Sequence, residues 1–168
     1  MHKALACLLV VAAVLPVSGL AADAVTIQKK VPFAPGISVP DAVKAECELP
    51  EKTAQFVQEF AGKTMDVKVA DNVSAATPGR ALVMQITGVQ GTAGGAWSGA
   101  KSVAAEGTLY NGGKAIGSFK VIRHSGGGAF GGYKGTCSIL GRCSKAIGKD
   151  IGEWLQSPTM DARLGEMK

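Results

Sequence analysis

Beyond its first twenty or so residues this sequence has no long apolar run, so no later segment can cross a bilayer as a helix. Aromatic residues are scarce, with five Phe, two Tyr and two Trp in 168 residues. Basic residues are spread along the chain rather than clustered. A nucleic-acid platform needs a basic stripe with stacking aromatics, and neither is present. No Cys-x-x-Cys pair exists, which argues against dithiol redox catalysis. No Gly-Lys-Ser/Thr follows the glycines at P-loop spacing, and no downstream acid sits where a dinucleotide site needs one. No nucleophile-elbow pattern is found, and no internal repeat.

What is present begins with a leader. Lys3 gives a positive start, and Ala4 to Leu15 is an unbroken apolar run of the length an export signal needs. Gly19-Leu20-Ala21 supplies small residues at the cleavage positions, and Ala22-Asp23-Ala24 is a second fit. Cys7 follows Ala4-Leu5-Ala6 but sits inside the apolar run, so a lipoprotein box is rejected. Residues 1–21 are therefore expected to be a cleaved signal peptide. The remainder, from Ala22, is 147 residues with 17 Lys and Arg against 13 acids, a mild net charge of +4. That length makes one ordinary domain able to bury about two-thirds of its unfolded surface. The expected organisation is a strand and Pro-rich connector over 22–40, one domain over 41–157 and a tail over 158–168. An exported chain meets an oxidising compartment, so periplasmic or secreted localisation and at least one disulfide are expected.

Val25 and Ile27 alternate with polar neighbours and predict a short strand over 25–30. Asp41 starts a short helical turn reaching Cys47. Pro50, at a first helical turn, begins a helix with Phe56, Val57 and Phe60 on one face, stopping at Gly62. Residues 64–70 alternate as a strand with one wet face, and 81–89 is apolar on both faces and so central in a sheet. Two alternating runs, 102–110 and 114–123, form a hairpin around Asn111-Gly112-Gly113. A three-residue loop pairing Tyr110 with Lys114, Leu109 with Ala115 and Gly107 with Gly117 keeps every apolar residue on one face. That face is small at Ala105, Gly107, Ala115 and Gly117, so a helix backbone is expected to pack close to it. Leu140, Cys143, Ile147, Ile151, Trp154 and Leu155 give the last helix an apolar stripe ending at Ser157-Pro158. The tail to Lys168 is expected to fray.

The candidate sites are few. Gly126, Gly127 and Gly128 could cradle an anion ahead of a helix; the preferred reading is a flexible crossover. Three cysteines remain after cleavage: Cys47, Cys137 and Cys143. If the helix starts by Ser138, Cys137 and Cys143 lie about 9 Å apart along it and cannot bond, so Cys47 must take one of them. If it starts at Ser144, Cys137 can bridge Cys143. The local bridge is slightly favoured and the long one stays open; one thiol remains free either way. A Cys3His zinc set with His124 lacks a close ligand pair to anchor it. His124 is expected to be a turn residue, and Glu106 and Lys120 to be solvated charges on the wet face of the hairpin.

The hairpin, the Arg-x-Ser-Gly-Gly run from Arg123 and the closing Gly-Lys-Asp-Ile-x-x-Trp-Leu helix resemble small exported bacterial proteins of uncharacterised families, notably domain of unknown function 4410. The resemblance covers roughly Asp71 to Ser157. It implies an exported α+β domain and supplies no catalytic residues or cofactor. The expected fold is α+β, a mainly antiparallel sheet of four to five strands with helices over 50–61 and 140–156 packed on one face. The expected function is a non-enzymatic binding or envelope-assembly module with a protein or small-ligand partner. A thiol-dependent or hydrolytic envelope enzyme is one alternative. The other is a small-ligand carrier with a cavity between the sheet and residues 91–99.

Overall fold

A computed structural model describes residues 24–91, 99–126 and 133–167. The signal segment, residues 92–98 and two glycines of the candidate anion loop, Gly127 and Gly128, lie outside the described residues. The fold is α+β. In chain order the elements are β1 (Ala24–Gln28), α1 (Asp41–Glu46), α2 (Leu49–Ala61), β2 (Asp66–Ala70), β3 (Arg80–Gln90), β4 (Lys101–Asn111), β5 (Lys114–Ser125), α3 (Thr136–Trp154) and β6 (Ala162–Gly165).

One six-stranded sheet runs β2-β1-β3-β4-β5-β6. The sheet is mixed, with six strands in place of the expected four to five, an antiparallel centre as expected and parallel flanks that were not. Its middle, β3-β4-β5, is an antiparallel meander. On one side β1 pairs in parallel with both β3 and β2; on the other β5 pairs in parallel with β6. Parallel neighbours need a crossover, and the helices provide it: α1 and α2 between β1 and β2, and α3 between β5 and β6. Sequence alternation reports which face a side chain takes and not which way its neighbour runs, so the parallel flanks were not visible in it.

The two main helices pack on each other and on the same face of the sheet. The α3 stripe Leu140, Cys143, Ile147, Ile151 and Trp154 is buried against Leu82, Ile86, Val103, Ala105, Leu109 and Val121. Within α3, Gly148 and Gly152 let α2 come close. A β-carbon on Gly148 would lie 2.7 Å from the backbone carbon of Phe56, and one on Gly152 3.0 Å from the amide nitrogen of Ala61. Thr53 and Ser144, both fully buried, share a hydrogen bond of 3.2 Å across this contact. The close helix-backbone approach is therefore between the two helices.

The small face of the hairpin receives side chains instead. A β-carbon on Gly117 would meet the Trp154 indole at 2.8 Å, and one on Gly107 would meet the Phe119 ring at 2.8 Å. Phe119 and Trp154 make an edge-on contact at 5.0 Å between centroids.

The hairpin register differs from the expected one by one residue beside the turn and by two beyond a bulge. The turn is Gly112-Gly113, with φ of 55° and 85°, and Asn111 faces Lys114. Gly107 faces Phe119 and Ala105 faces Val121, while Ile116 is an extra residue between the Leu109–Gly117 and Tyr110–Ala115 pairs. Two glycines in the left-handed region form the tight turn that matches strand twist. Beyond the bulge a slip of two leaves the side chains on their original face, so hydrophobic patterning could not separate the two registers there; beside the turn Ala115 moves to the face of Tyr110.

The tail is not frayed. After α3, Ala162–Gly165 adds β6 to the sheet edge, with Ala162 and Leu164 packed against the core. Ser118 holds its start, accepting the Asp161 amide at 2.7 Å and donating to the Asp161 carboxylate at 3.2 Å.

Candidate functional site

The helices cover one face of the sheet. The opposite face carries the alternate residues of the strands and forms a groove of about 810 Å³. Register places its side chains in rows. Val83, Thr108 and Ser118 form one row across β3, β4 and β5. Gln85, Glu106, Lys120 and Arg163 form the next, continuing onto β6. Pro32 and Tyr110 also line the groove, as do Asp161 and Met167 near the C-terminus. The Gln85 amide donates to the Glu106 carboxylate at 2.7 Å, which holds both side chains across the strands.

Strand geometry keeps this face in place. β1 ends its ladder with β3 at Ile27–Leu82, and the Gln28 side-chain oxygen then accepts the Met84 amide at 2.6 Å. The pairing resumes where Ile86 donates to the Pro32 carbonyl at 2.8 Å and Ala34 donates to the Ile86 carbonyl at 2.8 Å. Gln28 is 8 % exposed, a buried amide that fills a gap in a backbone ladder.

The two motifs at the C-terminal end meet. Arg123 on β5 donates to Asp150 on α3 from Nε at 2.7 Å and from Nη2 at 2.6 Å. This bidentate fork sits at the edge of the core, and the Asp150 bond raises the Arg123 pKa above its ordinary value. Arg80 on β3 donates to the Leu155 carbonyl at 3.2 Å, meeting the C-terminal end of α3. His124 bonds through Nδ1 to Glu166, and that bond holds the Glu166 carboxyl below its usual range. His124 thus fastens the far end of β6 as Ser118 fastens the near end.

The cysteines settle differently from the favoured expectation. Cys47 and Cys137 form a disulfide with a Cα separation of 4.8 Å, joining the end of α1 to the first turn of α3. The helix begins at Thr136, so Cys137 and Cys143 are too far apart along it to bond. This disulfide also removes two of the four ligands of the Cys3His set. Among the described residues Cys143 is the free cysteine, and it is buried. Its thiol is pushed up to about 11, chiefly by burial. A reactive thiol needs the opposite environment, electropositive and accessible. Of the anion-loop glycines, Gly126 stands in open space.

Glu106 and Lys120 do lie opposite each other on the wet face, with Glu106 half-buried. Sequence reasoning missed Gln28, Gln85 and Arg163. A lone glutamine carries no pattern, but alternation at Ala162, Arg163 and Leu164 was a signal that the tail continued as a strand.

No family model and no curated protein matches this chain. Among solved structures it is similar to the PelC dodecamer from Paraburkholderia phytofirmans, at 12 % identity and a TM-score of 0.46, over 76 % of this chain and 86 % of that one. A methionine-substituted variant of that dodecamer aligns at 14 % identity and a TM-score of 0.43, over 76 % and 84 % of the two chains. Likeness of this degree assigns the chain no ligand, partner or assembly.

Proposed function

We propose that this chain is an exported, non-enzymatic binding or envelope-assembly module that engages its partner on the open face of the sheet. The observation that carries the reading is the contrast between the faces. One is closed by two helices and a disulfide; the other is a groove lined by in-register rows of mostly polar side chains. The leader and the disulfide support export. The resemblance to domain of unknown function 4410 fits an envelope role. The groove volume falls in the range of small-molecule sites, about 300–1,000 Å³, which favours a small-ligand carrier as the second reading. The thiol-enzyme alternative loses its nucleophile, because Cys143 is buried and its thiolate disfavoured.

Hydrogen-exchange mass spectrometry tests the reading, comparing protein isolated natively from its host envelope with protein refolded alone. The expected result is extra protection over β3, β4, β5 and 161–167 in the native sample. Protection confined to the solvent side of α2, or substrate turnover that depends on His124, overturns it.

A further inference from the structure

The sheet ends on one side at β2, and its outer edge is unpaired. β2 has one neighbour, β1, and among the described residues no group hydrogen-bonds to its other side. The Ala70 carbonyl accepts the Lys29 amide at 2.9 Å, so Ala70 turns its backbone groups toward β1. Alternate residues of a strand turn these groups to opposite sides. Asp66 and Lys68 therefore pair with β1, and the amides and carbonyls of Val67 and Val69 point outward. An open row of this kind is a template for another strand. β2 runs in unbroken register with β1 and holds no proline, so two of the usual means of blunting an edge are missing. Val69 is 42 % exposed, an unusual degree for a large hydrophobic residue in this chain.

We propose that this edge is a dimer interface whose occupant is β2 of a second copy of the chain, paired antiparallel about Val67. Outward-facing residues must meet outward-facing residues, which leaves registers centred on Val67, Lys68 or Val69. Centred on Lys68, the two lysines oppose each other, a destabilising like-charge pair. Centred on Val69, Lys68 meets Ala70 and no opposite charges meet. Centred on Val67, Asp66 of each copy faces Lys68 of the other, and the two Val67 residues exchange backbone hydrogen bonds. Those Asp66–Lys68 pairs take the non-hydrogen-bonded positions, where opposed side chains come closest. Val67 packs against the core, so the valines share the helix-covered face and the charges lie on the open one. In this register Val69 comes beside Met65 of the second copy and loses exposure. Both charges are free to pair: Asp66 and Lys68 make no ion pair among the described residues, and they sit beside Ala24 and Thr26 on β1. Lys68 alone guards an edge; Asp66 two residues before it turns the guard into a selector of register and partner. The opposite edge, β6, carries one charge, Arg163, and has no such self-match.

Sedimentation velocity of the oxidised protein, purified after export, reads the association from about 1 to 300 µM. The expected result is a reversible monomer–dimer equilibrium. Lys68→Asp and Asp66→Lys each set like charges opposite one another and weaken the dimer at least about tenfold. The two substitutions together exchange the charges and restore the affinity to within about threefold. Amide exchange of the wild type needs no variant: raising the concentration slows Val67 and Val69 and leaves Lys68 and Ala70, already bonded to β1, unchanged. A monomer throughout, a dimer indifferent to both charge reversals, a double variant no tighter than the single ones, or added protection at Lys68 in place of Val67 and Val69 overturns the interface. Open-ended or ring-like growth, the mark of β2 meeting β6 of a neighbour, overturns the closed pair. The inference is separate from the open-face reading, whose protection is measured over β3, β4, β5 and 161–167, so either can fail while the other stands.

Discussion

Substitution of Gly148 by alanine separates local helix preference from packing. Helix propensity alone favours alanine over glycine by about 1 kcal/mol. The structure opposes it, because the added methyl would sit 2.6 Å from the Phe56 β-carbon and 2.7 and 2.9 Å from its backbone carbon and oxygen. Those neighbours cannot rotate away, so α2 must move as a body. Buried Leu49, Thr53, Ala54 and Val57 move with it. Overpacking of this kind costs about 1–3 kcal/mol, occasionally more, and backbone neighbours place it at the upper end. The net expectation is a loss of about 1–2 kcal/mol, which lowers Tm by roughly 2–8 °C for a chain of this size. Gly141 is the control on the same helix, since nothing lies within 4 Å of its added β-carbon. Gly141→Ala should gain about 0.5–1 kcal/mol. Urea unfolding followed by far-UV circular dichroism, under oxidising conditions, measures both. If Gly148→Ala proves as stable as Gly141→Ala, the close approach of α2 to α3 is wrong.

Replacing Cys47 and Cys137 together by serine opens a link across 90 residues of sequence. The chain-entropy estimate for that loop is about 4–5 kcal/mol, and a loss under about 1 kcal/mol in urea would refute a structural role. Cys143 should ignore a disulfide-exchange reagent at pH 8 in the native protein and titrate as one thiol after unfolding, given a thiol pushed up to about 11. Rapid native labelling would contradict its burial. Asp150→Asn leaves the Arg123 fork facing a neutral amide, at an expected cost of about 2–3 kcal/mol, read by chemical denaturation. Glu166 binds its proton less readily when folded than its ordinary value of 4.5 implies. Its contribution is therefore present above that value and fades as pH falls through the lower folded value. Protection of the 162–166 amides, taken relative to the intrinsic exchange rate at each pH, should fall over that range in wild type, and His124→Gln should abolish the pH step.

What could be read from the sequence follows from what patterning encodes. The α3 stripe from Leu140 to Leu155 was legible because burial on one helix face repeats every three or four residues. The hairpin face was legible beyond residue 116 and its register was not, since a shift of two preserves that face and is produced by the Gly112-Gly113 turn together with the bulge at Ile116. The disulfide turned on one local fact, whether the helix begins at Thr136 or Ser144. β6 was missed because the alternation at Ala162, Arg163 and Leu164 is short, and the strand it pairs with is remote in sequence. Of the groove, Glu106 and Lys120 were placed on the correct face. Their neighbours Gln85 and Arg163 come from strands whose adjacency the chain does not announce.

The two flanking crossovers have a consequence for handedness. β1 and β5 point the same way, because β1 runs parallel to β3, and β3 and β5 are both antiparallel to β4. The chain leaves β1 toward one edge of the sheet and β5 toward the other, yet both helical connections lie on a single face. Mirror-related paths of this sort have opposite hands, so one of the two is a left-handed crossover. Strand twist makes that hand rare. The disfavoured connection is held by its right-handed counterpart, through the contact at Gly148 and Gly152 and the bond between Cys47 and Cys137. The disulfide thus ties together two connections of opposite chirality.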